Sequence, residues 1–265
     1  MKKKQLLAIL LVLILGLTAC GKKEQPNKEK SDKLSVVSSF TIISDMARQI
    51  GGDKVEVYNL VPTGTDPHEY EPLPDDIKAA EDADVLLYNG MNLEGGEHGW
   101  FMKMISSTKQ DMDKVFELNE GVEPKYLTSE DGQEEEINPH SFLDPQVGMK
   151  MAENLRDALK KIDPDNAETY DANAEAYLKE LSAIDKKYEE VIQSIPEEDR
   201  VLVTSERAFQ YMTSRYGLEE AFVWAIDTEE NGTPEQIKNL VDKLRKLEPP
   251  VLFLESNVDP RPLET

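Results

Sequence analysis

One order of strands and helices occurs twice in this chain, and it limits the fold more than any other feature. From Leu34 an apolar strand, LSVVSSF, leads into TIISDMARQIGG, where Ile42, Ile43, Met46, Ala47 and Ile50 recur at helical spacing before a glycine stop at Gly51. VEVYNLV reads as a second strand, PDDIKAAEDA as a short helix and DVLLYNG as a third strand. GWFMKMISSTKQ is helical and KVFELNEG a fourth strand. From Arg200 the order returns: strand RVLVTSE, helix RAFQYMTSRYGL stopped at Gly217, strand EAFVWAI, loop DTEENGTPEQ, helix IKNLVDKLRKLEPP and strand VLFLES. Strands alternating with helices at these spacings predict parallel sheets covered on both faces, an α/β protein of two lobes with related βαβ wiring. Measured against the first lobe, the second is short of a helix and a strand by Thr265, so a truncated C-terminal lobe is expected.

Between the halves, about thirty residues from Pro164 to Pro196 contain no glycine and no internal proline. Tyr170, Ala174, Tyr177, Leu181, Ile184, Tyr188, Val191 and Ile195 form an apolar stripe there. One rigid helix of about 45 Å is expected to run along both lobes and to limit how far they close. The expected organisation is a signal peptide over 1–19, a tether over 20–33, an N-terminal lobe over 34–163, the linking helix over 164–196 and a C-terminal lobe over 197–265.

The first twenty residues, MKKKQLLAILLVLILGLTAC, set three lysines before an apolar run too short to span a bilayer comfortably. Leu17-Thr18-Ala19-Cys20 resembles a bacterial lipobox, whose cysteine is acylated and becomes the new N-terminus; the bland alternative is an ordinary signal with an incidental cysteine. Cys20 is the only cysteine, so once lipidated it leaves no thiol for a disulfide. GKKEQPNKEKSDK follows as a charged tether without large apolar residues. The expected address is the extracytoplasmic face of the cell membrane, reached through the lipid. A formal charge of −23 with no basic patch argues against nucleic-acid partners. A monomer is expected.

The chain has three histidines. In an open parallel sheet, ligands bind beyond the carboxyl ends of strands. His68, in PTGTDPHEYEP, follows strand VEVYNLV; Glu206 ends strand RVLVTSE; His140 lies in NPHSFLDP, after the acidic loop EDGQEEE. Two imidazoles and a carboxylate contributed by both lobes would make an inter-lobe metal site. Each has a plainer reading, His68 and His140 as loop hydrogen-bonders and Glu206 as a cap on the helix behind it. His98, between glycines in GGEHGW, reads as a residue of a surface loop.

The stretches VPTGTDPHEYEPLPDDI, LLYNGMNLE, NPHSFLDP, VTSERAFQYM, NGTPEQIKNLVDKLR and LFLESNVDPRP run in order through Ser35–Thr265. Together they closely resemble the substrate-binding lipoproteins of manganese and zinc ABC importers, in the manganese-receptor lineage also described as surface adhesins. The resemblance implies two α/β lobes joined by one long helix with a metal buried between them. It implies metal ligation by His68, His140 and Glu206, with a fourth ligand, an aspartate, beyond Thr265; Glu255 and Asp259 do not match that motif. Zinc-preferring relatives usually carry histidine where this chain has Glu206, and often a His-rich loop that it lacks. The implied cargo is therefore Mn2+, with Zn2+ the alternative, and the implied partners are an ABC permease and its cytoplasmic ATPase. No enzyme activity and no catalytic cofactor are expected; a metallohydrolase would need an open coordination position beside a general base, and no such motif is evident. A surface adhesin with a structural metal is the remaining reading.

Overall fold

The computed structural model describes residues 32–128, 134–226, 233–256 and 258–264. The segments expected as signal peptide, Cys20 anchor and nearly all of the tether lie outside these residues. Strands β1 (Leu34–Ser38), β2 (Val55–Asn59), β3 (Val85–Tyr88) and β4 (Val115–Glu117) form one parallel sheet in the order β2-β1-β3-β4. Both faces are covered, so Val36, Val37, Val85, Leu86 and Leu87 are fully buried. Helix α1 (Thr41–Gly51) joins β1 to β2 and buries Ile43, Met46, Ala47 and Ile50, while Ile42 is only partly covered. Its stop takes two glycines. Gly52 adopts the positive φ of 57°, and a Cβ on Gly51 would run into the Val55 side chain. Helices α2 (Pro74–Asp82) and α3 (Trp100–Thr108) complete this lobe with α4 (Pro145–Ile162).

The expected acidic loop is partly a strand. Glu134–Ile137 (β6) pairs antiparallel with Tyr126–Thr128 (β5), so a short hairpin precedes the NPH segment. Backbone pairing decides this stretch, and Glu136 within it is exposed. Residues 129–133 lie outside the described ones.

The linking helix α5 spans Ala167–Gln193, shorter than the 164–196 expected because Pro164–Asn166 forms a separate 3-10 turn. Its first half packs against α1 and α4 and buries Tyr170 and Ala174. Its second half leaves that groove: Ile184, Tyr188 and Val191 are exposed and Ile192 is buried in place of Val191. The helix still touches both lobes. Asp185 accepts from Gln146 of α4 at 2.7 Å and from the Tyr216 hydroxyl of the second lobe at 2.8 Å.

In the second lobe β7 (Val201–Glu206) and β8 (Glu219–Trp224) are parallel and joined by α6 (Gln210–Tyr216), the same βαβ unit as β1-α1-β2. Helix α7 (Pro234–Leu247) opens on a capping box between Thr233 and Gln236. Its Leu240 closes a small core with Val203, Ala221, Val223 and Trp224. The loop over 227–232 lies outside the described residues. VLFLES, expected as a strand, is not one. Among the described residues Phe253 N–H donates to Val203 C=O of β7 (2.9 Å), while the Glu255 carboxylate accepts from the N–H groups of Ser205 and Glu206. A side chain therefore takes the donors that a neighbouring strand would use, and residues 251–254 stay exposed.

An ion pair ties the lobes together. Asp144 caps α4 by accepting from Gln146 N–H (2.9 Å) and pairs with Arg215 of α6 at 2.6 Å. Asp144→Ala removes the cap and the pair together. It is expected to lower stability by roughly 1–3 kcal/mol, readable as a shift in denaturant midpoint at unchanged slope.

Candidate metal centre

The chain runs from β1 to β2 on one side and returns to β3 on the other, so a crevice opens at the carboxyl ends of β1 and β3. His68 arrives there from the loop after β2. Its backbone N–H donates to Asp66 Oδ1 at 2.7 Å, an Asx turn across Pro67. The indole N–H of Trp100, at the start of α3, donates to Pro67 C=O at 2.8 Å, and the Tyr70 ring stands edge-on to that indole at 5.2 Å. The buried carboxylate of Asp76 anchors the far end of the loop, accepting from Tyr58 and Tyr70 hydroxyls (2.8 and 2.7 Å) and Leu73 N–H (2.7 Å). Desolvation and the Asp76 carboxylate push the Tyr58 hydroxyl up to about 12.

His140 sits in a 3-10 turn between β6 and α4 and repeats the same device. Asn138-Pro139-His140 forms a second Asx turn, with His140 N–H donating to Asn138 Oδ1 at 3.1 Å. The first lobe supports this turn from below. Asn89 donates to Pro139 C=O (3.2 Å), and Ser141 Oγ donates to Asn119 Oδ1 (2.9 Å). Glu206 ends β7 with its side chain buried.

These three segments bring their side chains together. His68 Nε2 lies 3.3 Å from His140 Nε2, and His140 Nε2 lies 3.4 Å from Glu206 Oε1. One donor atom from each residue falls within 4.8 Å of the others. Burial first, and the neighbouring His68 second, hold the His140 ring neutral with its pKa down at about 3. A neutral imidazole keeps a lone pair for a cation, and the carboxylate adds charge and a hard oxygen. Glu255 and Asp259 are engaged elsewhere, Glu255 on the β7 backbone and Asp259 with Arg261, whose hydrogen bonds hold it down at about 2. His98 is exposed.

Residues 36–265 match the profile of the family described as zinc-uptake complex component A, periplasmic. The chain belongs to that family. It is 44% identical over its whole length to the metal ABC transporter substrate-binding lipoprotein ScbA of Streptococcus cristatus, covering 86% of that relative. It is 42% identical to the manganese ABC transporter substrate-binding lipoprotein scaA of Streptococcus gordonii, again over all of this chain and 86% of the relative. Among solved structures, a Mn-bound S38A mutant of a periplasmic metal binding protein from Candidatus Liberibacter asiaticus superposes with a TM-score of 0.78 at 30% identity, covering 86% of this chain and 82% of that one. The expected α/β architecture and the expected kinship with metal-import receptors are both borne out.

Sequence reasoning missed Trp100 and Asp76, which act on the His68 loop from other elements and leave no local mark. It also passed over a signal that was there: Asx-Pro-His occurs twice, at 66–68 and 138–140. Trp100→Phe keeps the ring packing but removes the bond to Pro67. It is expected to cost about 1 kcal/mol of stability and to weaken zinc binding roughly tenfold, measured by unfolding and titration calorimetry.

Proposed function

We propose that the chain is an extracytoplasmic, lipid-anchored receptor that captures a divalent transition metal between its lobes and delivers it to an ABC permease driven by a cytoplasmic ATPase. Mn2+ is the favoured cargo. His68 and His140 bind through Nε2 and Glu206 through its carboxylate, and water or a further oxygen donor completes the sphere. The observation that carries the reading is a distance: two imidazole nitrogens 3.3 Å apart, with a carboxylate oxygen 3.4 Å from one of them, at the end of three segments remote in sequence. Two nitrogens with carboxylate oxygen suit a borderline-to-hard ion.

Cys20 carries the anchor, residues 1–19 leave as the signal, and α5 divides an N-terminal lobe from a C-terminal lobe near 164–196. No helix among the described residues is long and apolar enough to cross a membrane. The lipid keeps the receptor near its permease and raises its effective concentration there. Because α5 touches both lobes through Asp185, closure on the metal is modest. The protein acts as a monomer and turns nothing over.

Zinc is the second reading, favoured by the family's description and by the Irving–Williams order, under which zinc binds such donors at least as tightly as manganese. Metal analysis of the protein purified from manganese- and zinc-supplemented cultures tests both, beside growth rescue of a receptor deletion strain by each metal. One ion per chain, with growth restored by manganese, supports the first reading. Rescue by zinc alone supports the second, and a protein that holds neither metal rejects both.

A further inference from the structure

We infer that Asn138 is a positioning residue of this centre: its amide sets which ring nitrogen of His140 faces the metal and ties that imidazole to the strand end carrying Glu206. This rests on the metal-binding reading above and adds a residue to it. The orientation of the amide follows from its backbone neighbours. His140 N–H can only donate, so the atom 3.1 Å away is Oδ1; Arg207 C=O can only accept, so the atom 2.8 Å away is Nδ2. With Oδ1 fixed as an acceptor, His140 Nδ1 at 2.9 Å must carry the ring's proton. The neutral ring has one N–H, which leaves Nε2 bare. Nε2 is the atom that faces His68 and Glu206.

The other end of the amide reaches the second lobe. Nδ2 donates to Arg207 C=O, the residue after Glu206, and to Gln210 Oε1 at 3.1 Å. Asn138 is fully buried, and its own backbone is held on both sides: its N–H donates to Lys125 C=O (2.8 Å) and its C=O accepts from the Tyr211 hydroxyl (2.9 Å). The side chain is thus fixed where it stands, and a neutral amide does both tasks without adding a buried charge. Aspartate would keep the acceptor for His140 but set an oxygen against Arg207 C=O. The two tasks therefore separate by mutation.

The test is 15N-histidine NMR of the metal-free protein, followed by titration with Zn2+ as a diamagnetic probe. In the wild type, His140 is expected as the Nδ1–H tautomer, with zinc shifting Nε2. Asn138→Ala is expected to mix the tautomers and weaken zinc binding about 10- to 100-fold. Asn138→Asp is expected to restore the tautomer and only part of the affinity. An Nε2–H tautomer in the wild type overturns the inference and needs no variant to fold. So does an Asn138→Ala protein whose tautomer and zinc affinity stay within about twofold of the wild type. If zinc shifts Nε2 and Asn138→Ala changes nothing, this inference alone fails; if zinc leaves wild-type His140 unmoved, the metal-centre reading fails and takes it along.

Discussion

Replacing His140 by alanine is expected to weaken zinc binding by roughly two to three orders of magnitude while the fold persists. Binding energies of about 10–16 kcal/mol for structural zinc, shared among four ligands, give each roughly 2.5–4 kcal/mol. His140 stands at the meeting point of the three donors, 3.3 Å from one and 3.4 Å from another, so no other imidazole replaces it. The ring is buried and neutral in the metal-free protein, so its removal leaves a small cavity rather than an unpaired charge. Titration calorimetry reads the affinity and circular dichroism the fold. An affinity within a few-fold of the wild type would remove His140 from the centre.

The second large effect falls on a residue that binds nothing. Gly99 precedes α3, and a Cβ placed on it would sit inside any allowed contact with the Glu94 carbonyl and 2.5 Å from the Gly95 Cα. Those are backbone atoms, so no side chain can swing away. The 89–99 segment cannot yield easily either. The Glu94 carboxylate accepts from Asn89 and Gly90 N–H groups at 2.8 and 3.1 Å, deep enough that burial pushes its pKa up to about 7. Gly99→Ala is therefore expected to destabilise by about 3 kcal/mol or more, at the upper end for overpacking, and to lower Tm by roughly 6–12 °C. The strain reaches the centre from two sides. Trp100, the next residue, holds the His68 loop, and Asn89 holds the turn that carries His140. A scanning calorimetry trace within about 2 °C of the wild type would show that the segment relaxes freely.

The two βαβ units and the long helix were legible because each rests on local pattern; local pattern only suggested His68, His140 and Glu206, and the family resemblance grouped them. Apolar periodicity names the elements, and strand ends name the places where a ligand can sit. The misses share a different cause. VLFLES is as apolar as a strand should be, but strand assignment depends on who takes β7's N–H groups, and Glu255 takes two of them. Val191 continues the stripe of α5 in sequence, yet by that point the helix has left α1 and α4, so Ile192 is the residue covered. The grip of Trp100 and Asp76 on the His68 loop comes from chain folding back on itself. Asn138 was visible within NPHSFLDP, but its two tasks depend on Arg207 and Gln210, some seventy residues away.

The position of the ion decides whether His68, His140 and Glu206 bind it. A crystal structure of the manganese-loaded protein, with anomalous data collected above the metal edge, locates it directly. The prediction is a single anomalous peak within direct coordination distance of His68 Nε2, His140 Nε2 and a Glu206 oxygen. A peak elsewhere, or one that leaves either imidazole outside the coordination sphere, would contradict it.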